Sequence, residues 1–532
     1  MPFPVSNSWG RGALVLAALG VACAPRDEAR PPGSEARESR PAAVLDEPVA
    51  AAPGPAWDRA LARVQADHGV TPAPPAPPNV WLRRASLVLA GRVPTPRELR
   101  AFVARTDRAA REEAVTRLLA DPGFPRTWGR IYASWFVRST HLRRPGFRTV
   151  VEPYYREATA RSYAEVAREL IAARGAVVEV PAATFLASQR PGRTYEEVAA
   201  ITLDLFVGKD AYYCAQCHDH PDDPSVRQED LWHVAAYFAR TRVPRRMVQG
   251  RPNVLEVRDR ARGELRRPEV PREKARVIEP RYLDGRSWLA GGDASRREAL
   301  AEAIVADPAF AEAFVARAFA EVFGAKPHPA LAPFVRALAE QTRRDGYDLR
   351  LLLRALVLSD AFARDVAGGA DGDLPAVALL ARFPIRPLPA DVRLDALLQV
   401  TSAEAKVPHF LPLAERAMRV EGARRRYRHV FDDPAAETLA GTIPLRLSEL
   451  HDPVAFRATR ARPGSRLDVL ERAYPDPRRR LAALFAWVFA RSPTPDETTA
   501  FLDRLAAADD PRAAWEDLFH AAVLSAEFST LH

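Results

Sequence analysis

The residues best suited to chemistry stand together in Cys214-Ala-Gln-Cys217-His218, followed by Asp219-His220-Pro221. Two thiols three residues apart on one turn can form thioethers with the two vinyl groups of one porphyrin edge. The following histidine can then donate a ring nitrogen to the iron, and C-x-x-C-H is the attachment signature of c-type haem. On that reading Cys214 and Cys217 hold haem c covalently and His218 is the proximal iron ligand. Candidates for a further ligand are His220, His233 and Met247. With none of them bound, the iron would be open to small molecules, which favours catalysis or sensing over plain electron transfer. Other chemistry suits the same residues. Zinc could take Cys214, Cys217 and two of His218, His220 and His233. The thiols could instead close as a structural or redox-active disulfide, and a plain structural turn needs neither. Asp204, Asp210, Asp219, Asp222 and Asp223 place carboxylates nearby, but no pair of them is spaced for acid–base hydrolysis.

Covalent haem attachment in bacteria takes place outside the cytoplasm, so the N-terminus bears on the same question. Arg11 and the apolar run Ala13-Leu-Val-Leu-Ala-Ala-Leu-Gly-Val21 have the form of an export signal, too short to span a bilayer. The run ends in Gly20-Val21-Ala22-Cys23, which resembles a bacterial lipoprotein cleavage site, although Leu19 stands one place early. Residues 1–23 are therefore expected to be a signal peptide of lipoprotein type, with Cys23 lipidated. The alternative is an ordinary secretory signal that discards Cys23. The expected location is the periplasm or outer membrane, with the lipid as the only membrane anchor. Residues 24–78 are rich in Ala, Pro, Glu and Arg and end in Thr71-Pro-Ala-Pro-Pro-Ala-Pro-Pro78. This composition predicts a disordered tether, interrupted by a short helix at 57–66.

From Val80 onward, apolar residues recur at helical spacing, as in Leu349, Leu352, Leu353, Leu356 and Val357. Two stretches share a helix-start signal, Val93-Pro-Thr-Pro-Arg-Glu98 and Ser492-Pro-Thr-Pro-Asp-Glu497, in which Thr95 and Thr494 can cap and Glu98 and Glu497 can close a capping box. A second recurring phrase ends helices, as in Leu118-Leu-Ala-Asp-Pro-Gly-Phe124 and Val523-Leu-Ser-Ala-Glu-Phe528. The expected fold is mainly α: two helical domains, residues 79–243 and 279–532, joined by an irregular Arg/Pro/Gly-rich connector at 244–278. One short strand is predicted there, at 253–257.

Composition narrows the function further. The chain of 532 residues has 47% hydrophobic residues and only three cysteines, which excludes wholesale disorder and a disulfide scaffold. Its 77 Lys+Arg against 68 Asp+Glu leave +9, almost all of it arginine. Spread over the whole length, that is a weak field, and no dense basic run with interleaved aromatics predicts a nucleic-acid partner. The chain holds no Gly-rich phosphate loop, G-x-S-x-G elbow or H-E-x-x-H helix. Electron transfer, small-molecule redox chemistry or binding remain.

The longer string Phe206-Val-Gly, Cys214-Ala-Gln-Cys-His-Asp-His-Pro221 and Gln228-Glu-Asp-Leu-Trp-His-Val-Ala-Ala-Tyr-Phe-Ala-Arg240 resembles a planctomycete-type cytochrome-associated family, domain of unknown function 1549. The likeness extends upstream to residues 84–98 and Trp128. Downstream, Pro280-Arg-Tyr-Leu-Asp-Gly285, Val322-Phe-Gly324, His328-Pro329 and Gly346-Tyr-Asp-Leu349 resemble its usual partner, domain of unknown function 1553. The chain departs from that partner at Ala316-Arg317 and Phe319, where Asn-Arg and Trp are usual, and at residues 442–451, which lack the usual Gln and Asn. The resemblance implies an exported, cytochrome-linked protein with a redox partner such as a cytochrome c, found beside polysaccharide-degrading machinery. It implies no particular reaction.

Overall fold

The structure is a computed structural model that describes residues 55–142, 145–267, 275–289, 295–366, 374–401 and 453–532. The expected signal peptide with Cys23, residues 24–54 of the tether, and residues 442–451 lie outside the described residues. The described residues are mainly α-helical, as the periodicity predicts.

The packed chain begins earlier than composition suggests. Residues 55–78, expected within the tether, are docked. Helix α1 (Ala56–Asp67) buries Leu61 and Val64, and its Gln65 amide donates to the Leu379 carbonyl at 3.0 Å. In the proline-rich stretch that follows, the Ala73 and Ala76 amides donate to the Ala381 and Ala363 carbonyls at 2.7 and 2.8 Å. Proline removes only its own donor, so the alanines between prolines can still pair and dock an extended segment.

Helices α2 (Pro78–Ala90), α3 (Pro96–Val103), α4 (Arg108–Ala120) and α5 (Gly123–Phe136) follow. Both predicted capping boxes form, Thr95 with Glu98 and Thr494 with Glu497. Each glutamate is also gripped by an arginine that reaches into the second recurring phrase. Arg92 pairs with Glu98 at 2.7 Å and Asp121 at 2.8 Å, and Arg491 pairs with Glu497 at 2.7 Å and Glu527 at 2.6 Å. The two sequence phrases are thus halves of one device that occurs near both ends of the described chain. Burial alone would raise the Glu98 carboxyl, but Arg92 and the Thr95 amide hold it at about 2; Arg491 holds Glu497 at about 2.

Two arginines of α2 are buried outright. Arg83 donates to the carbonyls of Glu527, Phe528 and Thr530, and Arg84 to those of Phe362, Arg364 and His532. The Arg84 guanidinium also lies 3.6 Å from the ring centre of Phe383. Replacing Arg84 with Ala would leave three carbonyls without this donor and empty the space above Phe383. The expected cost is about 3 kcal/mol or more, read by urea unfolding against the exposed control Arg336→Ala.

Helices α6 (Ser139–Leu142), α7 (Pro145–Ala158), α8 (Tyr163–Ala172), α9 (Thr184–Gln189), α10 (Tyr195–Val207) and α11 (Gln228–Ala235) complete the first half, and α12 (Arg296–Ala306), α13 (Pro308–Phe323), α14 (Ala332–Arg344), α15 (Leu349–Val357) and α16 (Asp360–Ala363) open the second. The two halves share a core rather than standing apart. Tyr163 of α8 stacks on Phe314 and Phe310 of α13, with ring centres 3.9 and 5.2 Å apart. The described residues form one compact unit.

Within the expected irregular connector at 244–278, the described residues form several paired strands, one of which, β4, contains the strand predicted at 253–257. Strand β4 (Arg251–Asp259) pairs antiparallel with β1 (Gly175–Ala176), β2 (Thr241–Arg242) and β3 (Arg245–Val248), and β5 (Leu265–Arg267) pairs with β6 (Arg276–Ile278). The turn between β3 and β4 uses Gln249 and Gly250, both at positive φ (49° and 73°), as a right-twisted hairpin requires. Buried Arg297 ties this sheet to the helices. It pairs with Asp259 of β4 at 2.9 Å and donates to the Ile171 and Ala173 carbonyls at 2.7 and 2.8 Å. Paired strands satisfy their own backbone, so the abundance of Arg, Pro and Gly does not prevent order here.

Asp58 of α1 is 8% exposed, and its Oδ1 accepts the Asp360 amide of α16 at 3.0 Å. Burial pushes this carboxyl up to about 6, against the pull of that amide, Arg108 and Arg364. Its folded value therefore lies above the unfolded one, so protonation favours the fold. That contribution is complete below about pH 4 and is lost as the pH rises through about 6. Asp58→Asn keeps an oxygen acceptor and removes the charge. It should be more stable than the parent by up to about 3 kcal/mol near neutral pH, with the difference vanishing near pH 4, in urea unfolding across a pH series.

Candidate functional site

The Cys/His cluster sits between α10 and α11. Helix α10 stops at Gly208, whose φ of +67° lets the chain turn away, and a 3-10 turn follows over Asp210–Gln216. Tyr212 and Ala215 point into the core and anchor the turn. Cys214 lies on this turn and Cys217 ends it, both exposed and both free thiols, with the Cys217 amide donating to the Cys214 carbonyl at 3.2 Å.

His218 is exposed beside them. Its Nδ1 lies 2.7 Å from the Asp219 carbonyl, which can only accept, so Nδ1 carries the hydrogen and Nε2 the lone pair. A histidine that ligates through Nε2 has the same arrangement, with its other nitrogen fixed by a backbone acceptor. His220 has the opposite tautomer. Its Nδ1 accepts the amides of Asp222 and Asp223 at 3.2 and 3.1 Å, so the hydrogen is on Nε2. His233 is buried in α11 and donates from Nδ1 to the Glu279 carbonyl at 2.7 Å; its Nε2 is 3.8 Å from Glu229. Met247 is 66% exposed on β3. The structure thus brings Cys214, Cys217, His218 and His220 into one loop, uses His220 and His233 to hold backbone, and leaves Met247 on the sheet. Among the described residues, no group of three or more His, Cys, Asp or Glu side chains is assembled for a metal ion.

The loop from 217 to 228 is held largely by its own hydrogen bonds. The Gln228 amide donates to Asp219 Oδ1 at 2.7 Å, which caps the start of α11 from a distance, and Gln228 Nε2 donates to the Gln216 carbonyl at 3.2 Å. The His220 amide donates to the Val226 carbonyl at 2.9 Å, while Asp223 accepts both the amide and hydroxyl of Ser225. Of the five aspartates singled out from the sequence, Asp219 and Asp223 serve the loop itself.

The remaining neighbours come from the second half of the chain, which the domain division had kept apart. Arg317 of α13 donates to the Leu205 and Asp204 carbonyls at 2.8 and 3.1 Å and lies 3.6 Å from the Asp204 carboxylate. Asp204 in turn accepts the Tyr213 hydroxyl at 3.3 Å, and Lys326 pairs with Asp210 at 2.8 Å. Burial and Asp204 together push the Tyr213 hydroxyl up to about 12. Sequence reasoning noted Arg317 only as part of a departure from a familiar pattern, and nothing local to residues 204–218 pointed to it.

Residues 56–243 match the family model PSCyt2, protein of unknown function (DUF1549). The match opens at the first residue of α1, in keeping with the early start of the packed chain, and runs through the Cys/His loop into the sheet. No curated protein and no solved structure matches the chain.

Asp219→Ala removes the cap of α11 and should cost about 1 kcal/mol, with faster amide hydrogen exchange across residues 217–228. Asp222→Ala, which alters a carboxylate with no side-chain hydrogen bond among the described residues, should leave that exchange unchanged.

Proposed function

We propose that this is an exported redox protein carrying one haem attached through Cys214 and Cys217, with His218 as proximal ligand. The observation that carries the reading is two free, exposed thiols on one turn beside a histidine whose Nε2 has no partner among the described residues. The donor set fits the group: two thiols able to form thioethers and one imidazole held through its other nitrogen. Bound there, haem supplies one-electron chemistry. The chain's own part is to hold the two exposed thiols on a turn anchored by Tyr212 and Ala215 and to orient the His218 ring through the Asp219 carbonyl. The Arg317–Asp204–Tyr213 contacts stiffen the same turn from the second half.

With this goes the wider reading of a lipoprotein anchored through Cys23 in the periplasm or outer membrane. It exchanges electrons with a cytochrome c-like partner or acts on a small molecule, in association with polysaccharide breakdown. The likeness of residues 279–532 to domain of unknown function 1553 supports the same reading. A second reading, a dithiol–disulfide pair, is favoured by the same exposed thiols.

Full-length protein from a host with haem-maturation machinery should give a pyridine haemochrome spectrum and a Soret band that survives denaturation. Cys214→Ala together with Cys217→Ala should abolish both, and His218→Ala should keep the covalent haem with an altered spectrum. Colourless protein with two titratable thiols would overturn the haem. A reversible two-electron thiol couple would support the second reading, and stoichiometric zinc without iron would indicate a metal-dependent enzyme.

A further inference from the structure

The positive charge is not spread along the chain. Residues 240–286 hold fifteen Lys and Arg against seven Asp and Glu, so this segment alone accounts for +8 of the chain's +9. Tertiary structure then arranges it. Thr241 faces Asp259, Arg242 faces Arg258, Arg245 faces Leu255 and Arg246 faces Val254; between these pairs the Glu256 amide donates to the Pro244 carbonyl, and beyond them the Arg260 amide donates to the Arg240 carbonyl. The register is continuous from 240 to 246 along β4. Alternate residues of a strand share a face. One face therefore carries Arg240, Arg242 and Arg246 on one strand line, against Arg258 and Arg260 on the other.

The carboxylates on this face do not match the arginines. Glu256 is shared by Arg246 and Arg258 at 2.9 and 2.8 Å, and Glu264 takes Arg240 at 3.0 Å. Among the described residues, neither Arg242 nor Arg260 has a carboxylate at ion-pair distance. Burial and the like charges of Arg260 and Arg190 lower the pKa of Arg242. Arg190 and Arg242 both lie over the Tyr195 ring, 4.3 and 5.6 Å from its centre. A second cross-strand pair, Arg267 opposite Arg276, stands on β5–β6, with Arg267 on the Trp232 ring at 4.4 Å. Like charges directly opposed across strands destabilise a sheet. Two such pairs, with guanidiniums held on aromatic rings, suit a face that is covered by anions when in use.

We propose that this arginine face of the β2–β3–β4 sheet binds a linear polyanion bearing one carboxylate on each sugar ring, an acidic polysaccharide. Three features favour that occupant over a globular acidic protein. Arg240 and Arg242 on one strand line, and Arg258 and Arg260 on the other, stand two residues apart, about 6.8 Å along a strand, which suits a ligand with its own regular repeat. The Arg246, Arg258 and Arg260 side chains of the face are exposed. Every cation on it is arginine, whose planar fork matches a carboxylate in a way that lysine does not. The inference rests on the sheet alone and is independent of the haem reading.

The test measures binding of the full-length protein to polygalacturonate at low salt, beside neutral dextran and duplex DNA. Arg246→Gln/Arg258→Gln/Arg260→Gln changes three exposed side chains of the face. Arg472→Gln/Arg478→Gln/Arg479→Gln removes the same charge from exposed positions elsewhere. Polygalacturonate should bind in preference to both other polymers. The first triple variant should weaken it about tenfold, and the second should leave it near the parent value, both with unchanged thermal unfolding. Competition by galacturonate oligomers on the unmodified protein checks the result without any variant. No binding beyond that of dextran, equal or tighter binding of DNA, equal weakening by the two variants, or failure of the oligomers to compete would each overturn the proposal.

Discussion

Buried guanidinium paired with backbone carbonyl is the contact on which the rest of this structure depends. Arg83 and Arg84 sit side by side in α2, and between them they collect six carbonyls from residues 362–364 and 527–532. Arg297 does the same between α8, α12 and the sheet. A carbonyl at the end of a helix or in a bend has lone pairs that the helix does not use. A guanidinium offers five donors in one plane, so a single side chain can close several such ends at once. In a chain with 77 cationic residues, nearly all of them arginine, this contact is available at many points, and it joins segments hundreds of residues apart.

The same side chain has three uses that its sequence context does not separate. In α2 and α12 it is buried and structural. At Arg92 and Arg491 it locks a capping-box glutamate to a second carboxylate and so fuses two short motifs into one unit. On the sheet it is left facing other arginines. Burial and the identity of the facing residue decide which use applies, and both follow from packing.

The Cys/His loop shows how local and distant structure divide the work. The turn that exposes both thiols, the left-handed stop at Gly208 and the His218 contact with the Asp219 carbonyl arise within about ten residues of chain. The support beneath them does not. Arg317 and Lys326 approach from α13 and beyond, through a core in which Tyr163 and Phe314 stack across the two halves. The end of α10 and the turn after it are therefore held partly by residues outside the PSCyt2 match.

By itself, the sequence determined what depends on short-range spacing. Helical periodicity, both Thr–Glu capping boxes and the Cys214-x-x-Cys217-His218 cluster are all legible because each is set by contacts three or four residues apart. Composition misjudged residues 55–78, where amides between prolines find distant carbonyls, and residues 244–278, where Arg, Pro and Gly suggested a loose connector and strands formed instead. Only the tertiary structure decided which arginines are buried, that His220 and His233 each spend Nδ1 on backbone, and that Arg317 holds the end of α10 at Asp204 and Leu205. The physical reason is the same in each case. A hydrogen-bond donor or a charge has no fixed role until its partner is known, and these partners lie across the fold rather than along the chain.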